Sequence, residues 1–404
     1  MNTTIQLERQ YGAHNYEPLP VVLTRGEGIF VWDDQGKRYI DMMSAYSAVS
    51  FGHCHPVLLH ALTEQAKQLS LVSRAFYTNR LGHFLQKACQ AAHQERALPM
   101  NSGAEAVETA LKVARKWAYA VKKVPHDAAE IIACEGNFHG RTIAIVAMSS
   151  EPQYKHQFGP FPAGNRLVPY GDVEALRKAI TPNTAAFLVE PIQGEAGIVV
   201  PPKGYLKACA EICRENNVLL IVDEIQTGLG RTGRFLACEY EDIKPDAVLL
   251  GKALGGGFLP VSLFLTRNDV MDVLKPGDHG STFGGNPLAA AVGSAALDLL
   301  FSERMIEHAA ELGEYFKQAL LQIKSPIVTE VRGRGLLVGL AINPRYYSAR
   351  EICIHLLDKG ILTKDTHETI VRLAPPLIIT REQIDTVVAA IQAVLVSAET
   401  NASL

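Results

Sequence analysis

The stretch LLIVDEIQTGLGRTGRF, residues 219–235, opens with four apolar residues and then turns acidic at Asp223 and Glu224, with Gln226 just beyond. An unbroken apolar run, without alternation, reads as a strand covered on both faces, the situation of a parallel sheet with helices above and below. Open sheets of this kind bind ligands outside the carboxyl ends of their strands, so Asp223 is placed to face one. A strand ending in Asp-Glu also suggests the Mg²⁺ site of a nucleotide hydrolase. That reading needs a G-x-x-x-x-G-K-S/T loop, and the chain has none.

Working outward, runs of the same kind occur at 131–134, 186–189, 218–222 and 247–250, and 205–216 has the helical spacing of a crossover. The pattern predicts a doubly wound α/β sheet, mostly parallel, with helices on both faces. After Asn286 the character changes. Two long helical patterns, 287–301 and 304–323, lead through VRGRG (331–335) into a strand at 336–342, and TREQ (380–383) is a capping box opening a last apolar helix to about 396. We expect a large ligand-binding domain over 41–295 and a smaller α+β domain over 296–404, joined by an N-terminal segment, 1–40. No internal repeat or low-complexity segment is seen.

The whole chain sets limits on this reading. A length of 404 residues suits two domains, and 48% hydrophobic with 20% charged residues is a globular composition. A net charge of -3 argues against a nucleic-acid surface. The start, MNTTIQLERQYG, lacks the features of a targeting leader, and the least polar long run, 287–297, stops at Asp298, short of a membrane span. The expectation is a cytoplasmic protein without membrane or nucleic-acid partners. Seven cysteines, without a Cys-x-x-Cys pair, read as small buried thiols; Cys209 and Cys213 lie four apart and share a helix face. His53 and His55, in GHCHP, have no third ligand nearby, so this segment reads as a turn before the helix after Pro56, and no metal site is expected.

Two further stretches carry chemistry. In PMNSGAEAVETALKVARKW (99–117), Ser102-Gly103-Ala104-Glu105 is a capping box whose free amides suit a phosphate. An ordinary capped helix would look the same. In LLGKALGGGFLP (249–260), Lys252 follows a buried strand by the same logic as Asp223, and a lysine there either pairs or reacts. Gly255, Gly256 and Gly257 are expected to leave backbone room beside a ligand. A lysine, an acid and a phosphate cradle are together the parts that hold pyridoxal phosphate: Schiff base, pyridine-nitrogen partner and phosphate site.

The segments LVEPIQGEAG, DEIQTGLGRTG, LLGKALGGG and HGSTFGGNPLA resemble the class III, fold type I, pyridoxal-phosphate aminotransferases, with order and spacing kept over residues 25–376. Within that class SAYSAVSFGHCHP, SRAFY, GNFHGR and VRLAPPL are similar to the ornithine δ-aminotransferases, whose relatives acting on acetylornithine or 4-aminobutyrate generally lack a tyrosine at Tyr46. The resemblance implies that Lys252 carries the cofactor and shuttles the proton. It pairs Asp223 with the pyridine nitrogen, sets Gln226 near the ring hydroxyl, and stacks Phe138 on the ring with His139 beside it. Ser102, Gly103 and Ala104 belong to the phosphate cradle, and Thr282 reaches the phosphate from a neighbouring subunit, which implies a homodimer or an assembly of dimers. The far end of ornithine falls to Tyr46 and Arg141, with Tyr77 shaping the cavity. Arg372 takes a carboxylate of 2-oxoglutarate and is covered by Glu195 while ornithine reacts.

The implied activity is transfer of the δ-amino group of L-ornithine to 2-oxoglutarate by a ping-pong route through pyridoxamine phosphate, between arginine metabolism and proline biosynthesis. Acetylornithine or 4-aminobutyrate aminotransferases are the near alternatives, and an aminomutase of the same fold is a more distant one. A non-catalytic relative has no use for Lys252 together with Asp223. Relatives often carry threonine and valine at the places of Ser102 and Ala104, and a larger aromatic residue at that of His139.

Overall fold

The apolar runs become neighbours in one sheet. The structure, a computed structural model, describes residues 3–402. Its largest sheet has seven strands in the spatial order Arg96–Met100, Ser262–Thr266, Ala247–Leu250, Leu219–Asp223, Thr184–Val189, Glu130–Cys134, Asn165–Val168. From Ala247–Leu250 to Asn165–Val168 all pairs are parallel, and Ser262–Thr266 runs against both its neighbours. The pleat divides the buried side chains as a two-faced sheet requires. Ile131, Leu188, Ile221, Leu249 and Phe264 join one core with the helix Gly103–Trp117, while Ile132, Phe187, Val222, Val248 and Leu263 join the other.

The crossover helix is Tyr205–Glu215, and Cys209 and Cys213 are both buried on it. All seven cysteines are free, and no metal-binding cluster of His, Cys, Asp or Glu occurs among the described residues. The helix after Pro56 is Pro56–Gln68, and His53 Nε2 lies 2.8 Å from Asp41, which fixes the preceding turn.

Two smaller four-stranded sheets complete the architecture. One sets Val328–Arg334, Leu337–Ile342, Ile370–Leu373 and Lys364–Thr366 antiparallel, in that order. The other is an N-terminal meander, Leu23–Glu27, Phe30–Asp33 and Arg38–Asp41, to which Ile361–Leu362 adds in parallel. Residues 23–41 and 361–362 are thus hydrogen-bonded into one layer. Helix Pro287–Ser302 continues unbroken past residue 295 and is followed by Met305–Leu321; the TREQ box caps Arg381–Ala402 through reciprocal Thr380–Gln383 bonds.

The three glycines after Lys252 need a correction. Gly256 (φ +63°) and Gly257 (φ +78°) turn the chain toward the antiparallel strand, and a Cβ on them would meet Leu58, Val292 and Val49. A Cβ on Gly255 would meet the backbone of Val261. They allow close packing on helices Pro56–Gln68 and Pro287–Ser302 and do not border the ligand cavity.

Candidate active site

Asp223 is the last residue of its strand, and Lys252 follows the adjacent strand by two residues; Asp223 pairs with Leu249 in register. Both therefore emerge at one sheet edge. Lys252 has φ +45°, a left-handed conformation that costs an L residue about 1 to 2 kcal/mol. Such strain is kept where the surroundings dictate the side chain's direction. Enclosure lowers the Lys252 pKa, and the nearby Glu195 carboxylate opposes that shift.

These two residues border a cavity of about 200 Å³, whose walls include Gly103, Ala104, Phe138, His139 and Gln226. The helix that begins at Gly103 has its expected capping box: Ser102 Oγ accepts from Glu105 N, and Glu105 accepts from Ser102 N at 2.7 Å. The cap uses the amides of Ser102 and Glu105, leaving those of Gly103 and Ala104 at the cavity rim. Asp223 is backed by His139, whose Nδ1 lies 2.7 Å from Asp223 Oδ2, and Asp223 Oδ1 accepts from Ile225 N at 3.1 Å. Burial disfavours a charged His139, but Asp223 and then Glu190 outweigh it and raise its pKa.

Glu190 was given no role by the sequence reading. It is buried against the same cavity, accepts from Phe138 N at 3.0 Å, and is pushed up to about 7 by burial. The signal was available. Glu190 follows an apolar run, Thr184–Val189, as Asp223 ends one, so strand-end logic alone reaches both.

A larger cleft of about 760 Å³ meets the first cavity at Phe138 and Lys252 and takes in Tyr46, Arg141 and Glu195. The Arg141 guanidinium lies 3.5 Å from the Tyr154 ring centroid and 5.4 Å from that of Phe138. Arg372, almost wholly buried, pairs with Glu195 at 2.7 Å and lies 5.2 Å from the Tyr46 ring. Gln226 Nε2 also donates to Glu195 Oε1, at 3.1 Å. Burial would raise the Glu195 carboxyl, but Arg372 and Lys252 together hold it at about 2. Tyr46 reaches its position through four consecutive residues with positive φ, Ser44 to Ser47. Asp41 accepts from Met43 N and Ser44 N, and Ser44 Oγ donates to Ala374 O at 2.7 Å, which anchors that turn.

Two expected residues stand apart in the single chain. Tyr77 is fully exposed, and Thr282 lies with Arg74 and Ser281 in a separate surface depression. Of the remaining ones, Gly103, Ala104, Phe138, His139, Asp223, Gln226 and Lys252 line the first cavity and Tyr46, Arg141 and Glu195 the second, while Ser102 caps the helix that opens on the first and Arg372 lies behind Glu195.

Pyridoxal phosphate fits these residues. An enclosed amine, a buried carboxylate, a capped helix end and an aromatic ring share one cavity, and the buried His139 Nε2, Gln226 Oε1 and two Arg372 nitrogens have no partner among the described residues. The chain belongs to the class-III aminotransferases: the model of that family matches residues 11–395. It is a pyridoxal-phosphate-dependent aminotransferase of α/β fold type I. The ornithine aminotransferase of a Geobacillus species is 56% identical over 381 residues, covering 94% of this chain and 95% of that protein. The solved ornithine aminotransferase of Toxoplasma gondii superposes with a TM-score of 0.98 at 45% identity, covering 99% of this chain and 95% of that one. The acetylornithine aminotransferase of Elizabethkingia anophelis superposes at 0.89 with 49% identity, covering 98% of both.

Proposed function

We propose that this enzyme transfers the δ-amino group of L-ornithine to 2-oxoglutarate, forming glutamate and glutamate 5-semialdehyde, which cyclises to pyrroline-5-carboxylate. The observation that carries the reading is the 2.7 Å Glu195–Arg372 pair beside Lys252. An exposed arginine there would seize an α-carboxylate and bring the wrong amine to the reacting centre. Neutralised by Glu195, it leaves ornithine's α-amine and carboxylate to the far end, where Tyr46 and Arg141 offer a hydroxyl and a guanidinium. When 2-oxoglutarate binds, Glu195 turns aside and Arg372 takes its carboxylate with fork geometry.

Pyridoxal phosphate, when bound, supplies an aldehyde that condenses with amines and a ring that takes up electrons from the reacting carbon. Gly103 and Ala104 would hold its phosphate, with Thr282 of the partner subunit, and Phe138 would cover its ring. Asp223, oriented by His139, holds a proton on the ring nitrogen. Lys252 Nζ, with its pKa lowered by enclosure, takes and returns the proton at the substrate carbon. Gln226 steadies Glu195. The division into a cofactor-binding unit (41–295) and a smaller unit (296–404 with 1–40), a homodimer or assembly of dimers, and a cytoplasmic location belong to the same proposal. No helix of the described residues is long and apolar enough to cross a membrane.

The likeness to an acetylornithine aminotransferase gives the second reading its footing. A half-reaction screen separates the two. Ornithine alone should bleach the cofactor absorbance of the holoenzyme, 2-oxoglutarate alone should then restore it, and N-acetylornithine should act far more slowly. Faster bleaching by N-acetylornithine would transfer the proposal to that substrate.

A further inference from the structure

The glutamate that covers Arg372 sits in a turn held from several sides. Gln193 and Val199 exchange both backbone bonds, at 3.1 and 2.9 Å, closing the loop 193–199 at its base. Within it Gly194 O accepts from Ile198 N at 3.1 Å, and the buried Ile198 packs with Ile192, Leu337 and Ala374. Arg332 Nε donates to Gly197 O at 2.8 Å. Thr366 Oγ1 donates to Glu195 O at 2.8 Å.

Both clamps come from the sheet that carries Arg372. In register, Gly339 lies opposite Arg372 on one side and Lys364 on the other, and Arg332 lies opposite Gly339. One sheet thus holds the arginine and, through two side chains, the backbone of the loop that bears the glutamate facing it, Thr366 at Glu195 itself and Arg332 at Gly197. A loop closed at its base, packed through Ile198 and bonded at two carbonyls cannot swing away as a body without breaking those bonds. The Glu195 side chain keeps its rotatable bonds and borders the open cleft.

We propose that Thr366 is a positioning residue of the Glu195–Arg372 gate, fixing the Glu195 backbone to the arginine's own sheet so that the gate opens only by rotation of the glutamate side chain. The proposal rests on the gate reading given above. Without the Thr366 hydroxyl the loop gains a second way to leave Arg372, and the arginine is uncovered more of the time while amines compete for the site. Glutamate, which reacts through its α-amine and needs that arginine, gains relative to ornithine.

The test is a pair of single-turnover measurements on holoenzyme, with ornithine and with glutamate, compared across wild type, Thr366→Val, Thr366→Ser and Glu195→Ala. The glutamate-to-ornithine rate ratio should rise most in Glu195→Ala. It should rise about threefold to tenfold in Thr366→Val, the fold-change that one lost hydrogen bond represents, and return to the wild-type value in Thr366→Ser. A merely structural loss would slow both substrates and leave the ratio alone. If Thr366→Val yields no holoenzyme, Thr366→Ala supplies the same comparison. A raised ratio in Glu195→Ala with an unchanged one in Thr366→Val overturns the positioning role alone. An unchanged ratio in Glu195→Ala overturns the gate, and the positioning role with it.

Discussion

At the scale of single residues, the chemistry depends on side chains that are tuned by neighbours distant in sequence. Asp223 and His139 meet at 2.7 Å across 84 positions, inside a site where neither reaches bulk water. A charge-assisted bond in such a place contributes more than a surface pair, because the unpaired partner would stay buried. Replacing His139 with alanine should slow the ornithine half-reaction by roughly tenfold or more, the effect of losing a bond to a charged group. His139→Asn keeps a donor nearer the position of Nδ1 and should recover part of the rate. Equal single-turnover rates for wild type and His139→Ala would remove His139 from the account. The sequence offered His139 only as a neighbour of the stacking Phe138, since nothing in GNFHGR announces a contact with a strand end so far along the chain. Lys252 and Asp223 were legible because strand ends of a parallel sheet are ligand positions whatever the rest of the chain does.

At the scale of elements, the stretch that revealed the sheet also stores an electrostatic cost just past its strand. Glu224, almost wholly buried, is raised to about 7 by burial, against bonds from Thr227 Oγ1 and from Cys238 N at 2.8 Å. Its carboxyl holds a proton more tightly folded than unfolded, where the ordinary value is 4.5. The stability it contributes is therefore complete below about pH 4.5 and is lost as pH rises through about 7. Glu224→Gln keeps an acceptor for Cys238 and turns the Thr227 hydroxyl into an acceptor, without titrating. Its Tm should gain on wild type as pH rises from about 5 to 8, by an amount corresponding to about 2 to 3 kcal/mol at most. A Tm difference that stays flat over that range would show that Glu224 is not held protonated. Element boundaries were readable here because the buried strands are continuous apolar runs and the helices carry their caps in sequence, as at Ser102 and Thr380. The left-handed turn from Ser44 to Ser47 was not, since four non-glycine residues with positive φ break every local preference. It persists through local bonds to the Asp41 carboxylate and through Ala374 O, a tertiary contact 330 positions away. The three glycines after Lys252 misled for a related reason: small size signals a close approach but does not say by what.

At the scale of the whole molecule, three sheets meet around one pair of cavities. The large sheet brings Lys252, Asp223 and the cap of helix Gly103–Trp117 to one edge. The C-terminal sheet delivers Arg372, and the loop after Thr184–Val189 delivers Glu195 against it. The N-terminal meander, tied in through Ile361–Leu362, leads into the turn that presents Tyr46. Arg372 and Glu195 are 177 positions apart, so their pairing came from family likeness and not from any local pattern. Thr366 shows the converse, a position that takes on meaning only when the sheets are assembled. In the proposed reaction this arrangement delivers the distal amine of ornithine, not its α-amine, to the reacting centre. Ornithine labelled with ¹⁵N at the δ-amine, incubated with holoenzyme and 2-oxoglutarate, tests it directly. The glutamate formed should carry the label and the ornithine-derived product should appear as pyrroline-5-carboxylate; unlabelled glutamate would contradict delivery of the distal amine.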